Sequence, residues 1–139
     1  MKAYLNIGTN LGDRQANINR AVLLVEQHLG CHALRSGVVE SEPWGFESEN
    51  RFCNIGIAVE TELAPAELLD ELHDIEKEMG SLSHRTASGE YADRIIDIDI
   101  MAIDGVKIDS EKLTVPHKHL YDRDFFLKPY MELKSKVEE

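Results

Sequence analysis

The sequence is poor in cysteine, proline and tryptophan, and its basic residues are far outnumbered by acidic ones. Its 139 residues include two cysteines, four prolines and one tryptophan, with 15 Lys and Arg against 26 Asp and Glu. Cys31 and Cys53 have neither metal-ligand spacing nor a disulfide framework, so we expect a reduced, cytoplasmic chain. The net charge of −11 argues against nucleic acid or an anionic membrane as the main partner. The N-terminus lacks a long apolar run, so we expect neither a signal peptide nor a membrane span.

The remaining composition is typical of a globular domain. Hydrophobic residues make up 42% of the chain and charged residues 29%, which is ordinary for a folded protein. The length is enough to bury a core, and it predicts one domain over residues 1–139.

The alternation of apolar patterns predicts the order β-α-β-β-α-β, followed by a hairpin and a terminal helix. Strands are expected at residues 3–7, 32–41, 52–61 and 94–101, and helices at residues 13–29 and 64–79. Asp13 is the expected N-cap of the first helix and Gly30 lies just past its end, while Pro65 stands in the first turn of the second helix. An Asp-Gly turn predicts a hairpin over residues 102–108, and a helix interrupted by Pro129 is expected near residues 122–133, with residues 134–139 fraying. The polar residues 81–93 read as a long loop of the kind that forms lids. The order predicts an α+β, ferredoxin-like sandwich with helices on one face of an antiparallel sheet.

One strand carries two acidic residues at alternate positions. In residues 94–101, Ile96, Ile98 and Ile100 share one face of the strand, and Asp97 and Asp99 share the other. Two carboxylates roughly 7 Å apart at their Cα atoms on a rigid strand suit Mg²⁺, which bridges carboxylates to substrate phosphates. The alternative is an edge strand whose polar face meets water.

Other polar and aromatic residues also allow two interpretations. Asn54 lies among apolar neighbours and must find a partner, because a buried amide without one is costly. Trp44, on a Pro-Gly turn, is either a core plug or one wall of a pocket for a flat ligand. His73 and Glu76 stand one helical step apart, which usually indicates a pair on the helix surface.

Several separated motifs of this chain resemble the 6-hydroxymethyl-7,8-dihydropterin pyrophosphokinase family. Their order and spacing agree over nearly the whole chain, and the Arg-x-x-Asp-x-Asp-Ile and Leu-Thr-x-Pro-His motifs are the most specific. The matching segments are Ile7-Gly8-Thr9-Asn10-Leu11-Gly12-Asp13-Arg14, Ser41-Glu42-Pro43-Trp44-Gly45, Phe52-Cys53-Asn54, Ile75-Glu76, Asp93-Arg94-Ile95-Ile96-Asp97-Ile98-Asp99-Ile100, Leu113-Thr114-Val115-Pro116-His117 and Arg123-Asp124-Phe125.

The resemblance implies a ferredoxin-like enzyme of folate biosynthesis that uses ATP as co-substrate. It implies transfer of a pyrophosphoryl group from ATP to 6-hydroxymethyl-7,8-dihydropterin, with release of AMP. By the same match, two Mg²⁺ ions would be bound by Asp97 and Asp99 and would bridge the triphosphate. Such chemistry depends mainly on positioning and charge neutralisation.

The resemblance also assigns roles to individual residues. Catalytic roles fall on Asp97, Asp99, Arg94, His117 and Arg123. The nucleotide-binding set is Glu76, His73, Ile100, Lys112, Thr114, His117 and Arg123. The pterin-binding set is Pro43, Trp44, Gly45, Phe52, Asn54 and Phe125, in which Asn54 would bond the pterin edge and the two Phe residues would flank its ring.

The loop after the second helix departs from the family pattern. The family usually shows Gly-Arg-x-Arg where this chain has Gly80-Ser81-Leu82-Ser83-His84-Arg85, so the loop arginines are missing or displaced to Arg85. This departure leaves a non-catalytic pterin- or nucleotide-binding paralogue as the alternative to an active enzyme. A third interpretation is an interaction module whose acidic surface meets a basic partner.

Overall fold

The computed structural model describes residues 1–41, 51–80 and 95–138, which form six strands and three helices. None of the helices in these ranges is both long and apolar enough to cross a membrane. In chain order the elements are β1 (Lys2–Thr9), α1 (Arg14–Leu29), β2 (Leu34–Ser41), β3 (Phe52–Glu60), α2 (Pro65–Glu78), β4 (Asp97–Ile103), β5 (Ile108–Asp109), β6 (Thr114–Val115) and α3 (Asp124–Glu138).

The main sheet has four strands in the order β2-β3-β1-β4, and every neighbouring pair is antiparallel. Helices α1 and α2 pack on one face of this sheet, whereas α3 packs on the other. The predicted ferredoxin-like α+β arrangement is therefore confirmed, with the terminal helix covering the second face.

The helix ends follow the signals predicted from the sequence. The side chain of Asp13 accepts a hydrogen bond from the Ala16 backbone N–H, so it caps α1 as expected. Gly30 ends α1 at a φ of 64°, a left-handed conformation that glycine adopts without strain. Pro65 begins α2, where its missing N–H costs no helical hydrogen bond.

Each face of the sheet has its own apolar core. The α1 and α2 side buries alternate residues of the central strands, such as Leu5, Ile7, Ile55 and Ile57, and also Ile98 and Ile100 of β4. The α3 side buries a smaller cluster of Tyr4, Ala58, Met101, Ala102, Leu120, Phe126 and Leu133. This second core fills only part of its face, because the strand positions toward the β4 N-terminus carry Asn, Gly and Asp.

Strand β4 contains one residue more than its partner. Tyr4 pairs with Ala102 but Leu5 pairs with Ile100, so Met101 is the extra residue of a β-bulge. The bulge changes the phase of the strand, because the consecutive residues Met101 and Ala102 both join the α3-side core. The Met101 carbonyl accepts the His117 backbone N–H at 2.8 Å, which places His117 beside β4.

The hairpin prediction was right about its turn and wrong about its partners. Gly105 does turn the chain, with a φ of 76°, and the Val106 N–H closes the turn on the Ile103 carbonyl at 3.0 Å. The following strand β5 pairs with β6 instead of β4. The reason is that the bulged edge of β4 is already engaged by His117.

The terminal helix is longer and more regular than predicted. It continues through Pro129 to Glu138, so neither the interruption nor the fraying of residues 134–138 occurs. Leu133 is buried, and Lys136 contacts both the Glu132 carboxylate at 2.9 Å and the Arg35 carbonyl at 3.0 Å. These contacts tie the charged end of α3 to β2.

We expect Gly56→Ala to destabilise the fold, because α3 lies directly on this glycine. An added Cβ would come within 2.7 Å of Pro129 Cβ and 2.9 Å of Leu133 Cδ1, and such overpacking costs about 1–3 kcal/mol. Gly37→Ala is the matched control, since its added Cβ would meet Glu132 Oε1 at 3.5 Å, an ordinary contact. Urea unfolding of both variants measures the difference, and equal stabilities would contradict the close packing.

Candidate active site

The two acidic residues of β4 lie on the α3 side of the sheet, opposite the apolar face of the strand. Ile96, Ile98 and Ile100 are 0–3% exposed and join the core under α1 and α2. Asp97 and Asp99 therefore point to the other face, where both are partly exposed. The predicted separation of acidic and apolar faces is confirmed, although β4 is also an edge strand, as the alternative interpretation expected.

Glu76 supports the acidic strand from behind. Its Oε2 atom accepts the backbone N–H of Ile98, the residue between the two aspartates, at 2.8 Å. Glu76 is 1% exposed, so its interpretation as part of a helix-surface pair was wrong. The physical reason is that an edge strand leaves alternate N–H groups without a strand partner, and a buried carboxylate can satisfy one of them. His73, by contrast, is partly exposed.

A cleft of about 340 Å³ opens along the outer edge of β4. It lies between α2 and the segment that contains β6, and seven predicted site residues line it. They are His73, Asp97, Asp99, Ile100, Lys112, Thr114 and His117, joined by Leu69, Ile98, Glu111, Leu113 and Lys118. Residues separated by more than 40 positions in sequence thus meet in one cavity that combines apolar walls, three carboxylates and basic side chains.

His117 is a neutral hydrogen-bond donor in this cleft. Its Nδ1 atom accepts the His119 backbone N–H at 3.0 Å, so in the neutral ring the proton is on Nε2. Burial lowers the pKa of His117 from 6.5 to about 4, and the positive charge of Arg123 adds to the decrease while Asp97 opposes it. At neutral pH the imidazole can therefore donate one hydrogen bond from Nε2 without carrying a charge.

Arg123 lies behind this cleft and does not line it. It is 7% exposed, with its guanidinium 5.7 Å from the centre of the Phe125 ring and 5.2 Å from that of Phe126. The positive charge of Arg123 lowers the pKa of His117. The His117 ring packs edge-on against the Phe126 ring, with 4.8 Å between the ring centres. Arg123 therefore lies near both His117, which lines the cleft, and the aromatic residues at the start of α3.

Asn54 occupies the α3 side of β3 and is held by two hydrogen bonds. Its Nδ2 atom donates to the Val39 carbonyl at 3.2 Å and to Ser41 Oγ at 2.9 Å. These bonds satisfy the buried amide, and they orient Oδ1 toward Gly8, where an added Cβ would lie 2.8 Å from it. An oriented amide oxygen is an acceptor for a ligand N–H group.

A row of three residues connects Asn54 with the acidic pair. In the strand register Asn54 pairs with Gly8, and Gly8 pairs with Asp97. With strands roughly 4.8 Å apart, the Cα atoms of Asn54 and Asp97 are about 10 Å apart across a residue that has no side chain. Phe52 lies at the side of this gap, 3.6 Å from the position of a Cβ on Gly8. We call the surface formed by Gly8, Asn54 and Phe52 the floor.

Some predicted site residues lie outside the described parts of the chain. They are Pro43, Trp44, Gly45 and Arg94, together with the expected loop at residues 81–93. Asn6, the Met101 bulge and the position of Gly8 in the floor were not predicted from the sequence. A polar residue between Leu5 and Ile7 was the available signal for Asn6.

The chain is similar in sequence to known pyrophosphokinases over nearly its whole length. The family model of 7,8-dihydro-6-hydroxymethylpterin-pyrophosphokinase (HPPK) matches residues 4–135. The chain is 36% identical over 138 residues to the 2-amino-4-hydroxy-6-hydroxymethyldihydropteridine pyrophosphokinase of Bacillus subtilis, covering 99% of this chain and 80% of that relative. With the Aquifex aeolicus protein of the same name the identity is 38% over 134 residues, covering 96% of this chain and 81% of that relative.

A solved structure shares the fold. A chain described as HPPK-DHPS in complex with substrates aligns with a TM-score of 0.62 at 16% sequence identity. The alignment covers 91% of the present chain and 39% of that longer chain. At this identity the similarity supports the architecture alone.

We expect the depressed pKa of His117 to make the fold less stable in acid. The unfolded chain binds a proton at this ring near pH 6.5, whereas the folded chain does so only at a pKa of about 4. The contribution of His117 to the free energy of unfolding is therefore fully present above pH 6.5, and it is lost as the pH falls toward 4. Urea unfolding at about pH 7 and about pH 4.5 should show a smaller loss for His117→Gln than for the wild type. His32→Gln, at a side chain that is 96% exposed, is the control and should retain the full loss; an equal loss in His117→Gln would contradict the assignment.

Proposed function

Because this chain belongs to the 7,8-dihydro-6-hydroxymethylpterin-pyrophosphokinase family, it is an enzyme that transfers a pyrophosphoryl group from ATP to 6-hydroxymethyl-7,8-dihydropterin in folate synthesis, and we propose that its described residues form two adjoining substrate sites. ATP occupies the cleft at the outer edge of β4. The pterin occupies the floor over β1 and β3. The observation that carries this proposal is the position of Asp97, which both lines the cleft and ends the Asn54–Gly8 row.

The cleft offers a nucleotide both apolar walls and positive charge. Ile100, Leu69 and Leu113 are apolar residues that can contact the adenosine, and Thr114 and His73 supply polar groups beside them. The chain has a net charge of −11, so a triphosphate needs local cations. Lys112 and Lys118 line the same cleft and supply them.

The acidic pair fits Mg²⁺ as the metal of the reaction. Mg²⁺ is commonly held by one or two carboxylates, with water and substrate phosphates filling its other positions. Asp97 and Asp99 supply two carboxylates on one strand face. Within the described residues 1–41, 51–80 and 95–138 there is no cluster of three or more His, Cys, Asp or Glu that could hold a metal ion. We propose that these two residues hold two Mg²⁺ ions, which when bound neutralise the triphosphate and polarise its β-phosphorus.

The floor suits a flat ring with hydrogen-bonding edges. Asn54 Oδ1 accepts an N–H of the pterin, while Phe52 and Phe125 flank the ring. Pro43, Trp44 and Gly45 complete the proposed pterin set from the part of the chain that the structure does not describe.

In the proposed reaction the pterin hydroxyl oxygen attacks the β-phosphorus of ATP. A bond forms from that oxygen to the β-phosphorus, the bond from the β-phosphorus to the bridging oxygen of the α-phosphate breaks, and AMP leaves with that oxygen. The hydroxyl proton is released to water. His117 donates its Nε2 proton as a hydrogen bond to a phosphate oxygen, while Arg123 and Arg94 contribute positive charge. Glu76 keeps the backbone of β4 in place, so the two substrates meet on either side of Asp97.

We expect Asp97→Asn and Asp99→Asn each to lower AMP formation by at least about 100-fold, because each removes a carboxylate charge from the metal pair. Mass spectrometry of a reaction containing ATP, Mg²⁺ and the pterin alcohol measures pterin diphosphate and AMP together. Asp109→Asn, in the exposed hairpin strand β5, is the matched control and should retain wild-type turnover. Full activity in either site variant would contradict the metal assignment.

Asn54→Ala should weaken pterin binding about tenfold or more and leave the KM for ATP within about twofold, since the lost acceptor faces only the pterin floor. Steady-state kinetics with each substrate varied in turn give the two KM values. Asn19→Ala on the exposed surface of α1 serves as the control. An equal rise in both KM values would indicate that Asn54 acts on the fold as a whole.

A further inference from the structure

Helix α3 contains a proline that deprives one backbone carbonyl of its helical hydrogen-bond donor. In an α-helix each N–H donates to the carbonyl four residues earlier, so the residue at position 129 would serve the carbonyl of Phe125. Proline has no N–H, and Pro129 therefore leaves the Phe125 carbonyl without its helical donor. Phe125 is in the first turn of α3, and it is one of the two proposed walls of the pterin site.

Asn6 of β1 supplies a donor to that carbonyl. Its Nδ2 atom donates to the Phe125 carbonyl oxygen at 2.7 Å across 119 residues of sequence. The direction is unambiguous because a carbonyl can only accept, so the nitrogen end of the Asn6 amide must face it. Asn6 is 2% exposed, and this short, buried bond replaces the one that Pro129 cannot make.

The position of Asn6 in the sheet connects this bond to the reactive groups. In the strand register Asn6 pairs with Asp99 on one side and with Gly56 on the other. The Pro129 ring lies over Gly56, where an added Cβ would come within 2.7 Å of Pro129 Cβ. Asn6 is thus in direct register with one acidic residue, while its side chain holds the backbone of the aromatic wall.

We propose that Asn6 is a positioning residue for the pterin substrate, acting through the backbone of Phe125. This inference rests on the proposed function, because it takes Phe125 as a wall of the pterin site. The Asn6 hydrogen bond sets the height of the first turn of α3 above the sheet. The same bond therefore sets the distance of the Phe125 ring from the floor formed by Gly8 and Asn54.

Loss of the Asn6 hydrogen bond is expected to affect the pterin site and to leave the ATP cleft unchanged. Loss of the Asn6 donor frees the Phe125 carbonyl and the first turn of α3, so the ring no longer holds one position over the floor. The cleft at the outer edge of β4 is lined by other residues and keeps its shape. Pterin affinity should fall while ATP affinity remains, a division that a general loss of stability would not produce.

The first experiment compares Asn6→Ala with Ser36→Ala. Ser36 is a matched control because it is also buried, and its hydroxyl accepts the Gly56 N–H at 2.8 Å without contacting Phe125. We expect Asn6→Ala to raise the KM and the calorimetric Kd for the pterin about tenfold, with the KM for ATP changed less than about twofold. Ser36→Ala should lower thermal stability and leave both KM values near those of the wild type.

The second experiment restores the missing donor from the helix itself. Pro129→Ala introduces an N–H at the position that serves the Phe125 carbonyl, so it should recover most of the pterin affinity in the double variant Asn6→Ala/Pro129→Ala. Pro129→Ala alone should bind the pterin like the wild type, since Asn6 still holds the carbonyl. If Asn6→Ala fails to fold, Asn6→Ser replaces it, because its shorter side chain withdraws the donor from Phe125.

The outcomes separate this inference from the proposed function. Phe125→Ala should weaken pterin binding whatever the role of Asn6; if it does not, the proposed pterin site is wrong and the inference fails with it. If Phe125→Ala weakens pterin binding and Asn6→Ala does not, the site stands and the role of Asn6 is overturned. A double variant no better than Asn6→Ala would also overturn it.

Discussion

The site depends on the alternation of side chains along paired β-strands. Successive residues of a strand face opposite sides of a sheet, so one side can be fully apolar while the other carries polar chemistry. Here the side under α1 and α2 is buried as a continuous core, which makes the strands rigid. Helix α3 covers only part of the other side, and the part beyond α3 carries Asn54, Gly8 and Asp97 in one row. Their spacing is set by the hydrogen bonds of the sheet and not by flexible loops.

The edge position of β4 leaves the acidic pair between the cleft on one side and the row of Gly8 and Asn54 on the other. A central strand is enclosed by a neighbour on each side, but among the described strands β4 pairs only with β1, and its other edge opens into the cleft. The cost of an open edge is a set of unpaired N–H groups. Glu76 satisfies the one at Ile98 from beneath, and the bulge turns the Met101 carbonyl toward His117. His117, which binds this edge through the Met101 carbonyl, also lines the cleft.

The parts of the structure that were predictable from the sequence are those set by local rules. Strand alternation placed Asp97 and Asp99 opposite their isoleucines, and capping signals placed the ends of α1. The motif resemblance supplied the fold and the family, since it rests on separated segments in a fixed order. Local patterns could not reveal that Glu76 is buried, because its partner is an N–H group on an edge strand 22 residues away.

Long-range competition explains the remaining errors. The Asp-Gly turn suggested a hairpin with β4, but that edge is engaged by His117, and β5 pairs with β6 instead. Pro129 suggested an interrupted helix, but Asn6 supplies a replacement donor from 119 residues away. In both cases the local signal was correct about the backbone group that it concerned. The hydrogen-bond partner of that group came from a distant part of the chain.

The extra residue in β4 also has a consequence for how the fold can change. A bulge separates a strand into two halves whose inward and outward positions are assigned independently. The half before Met101 carries Asp97 and Asp99 on the face opposite the α1 and α2 core, while Met101 and Ala102 join the α3-side core. Substitutions in one half of the strand therefore need not change the packing of the other half. The end of the strand that carries the acidic pair can change without repacking the end that contacts the terminal helix.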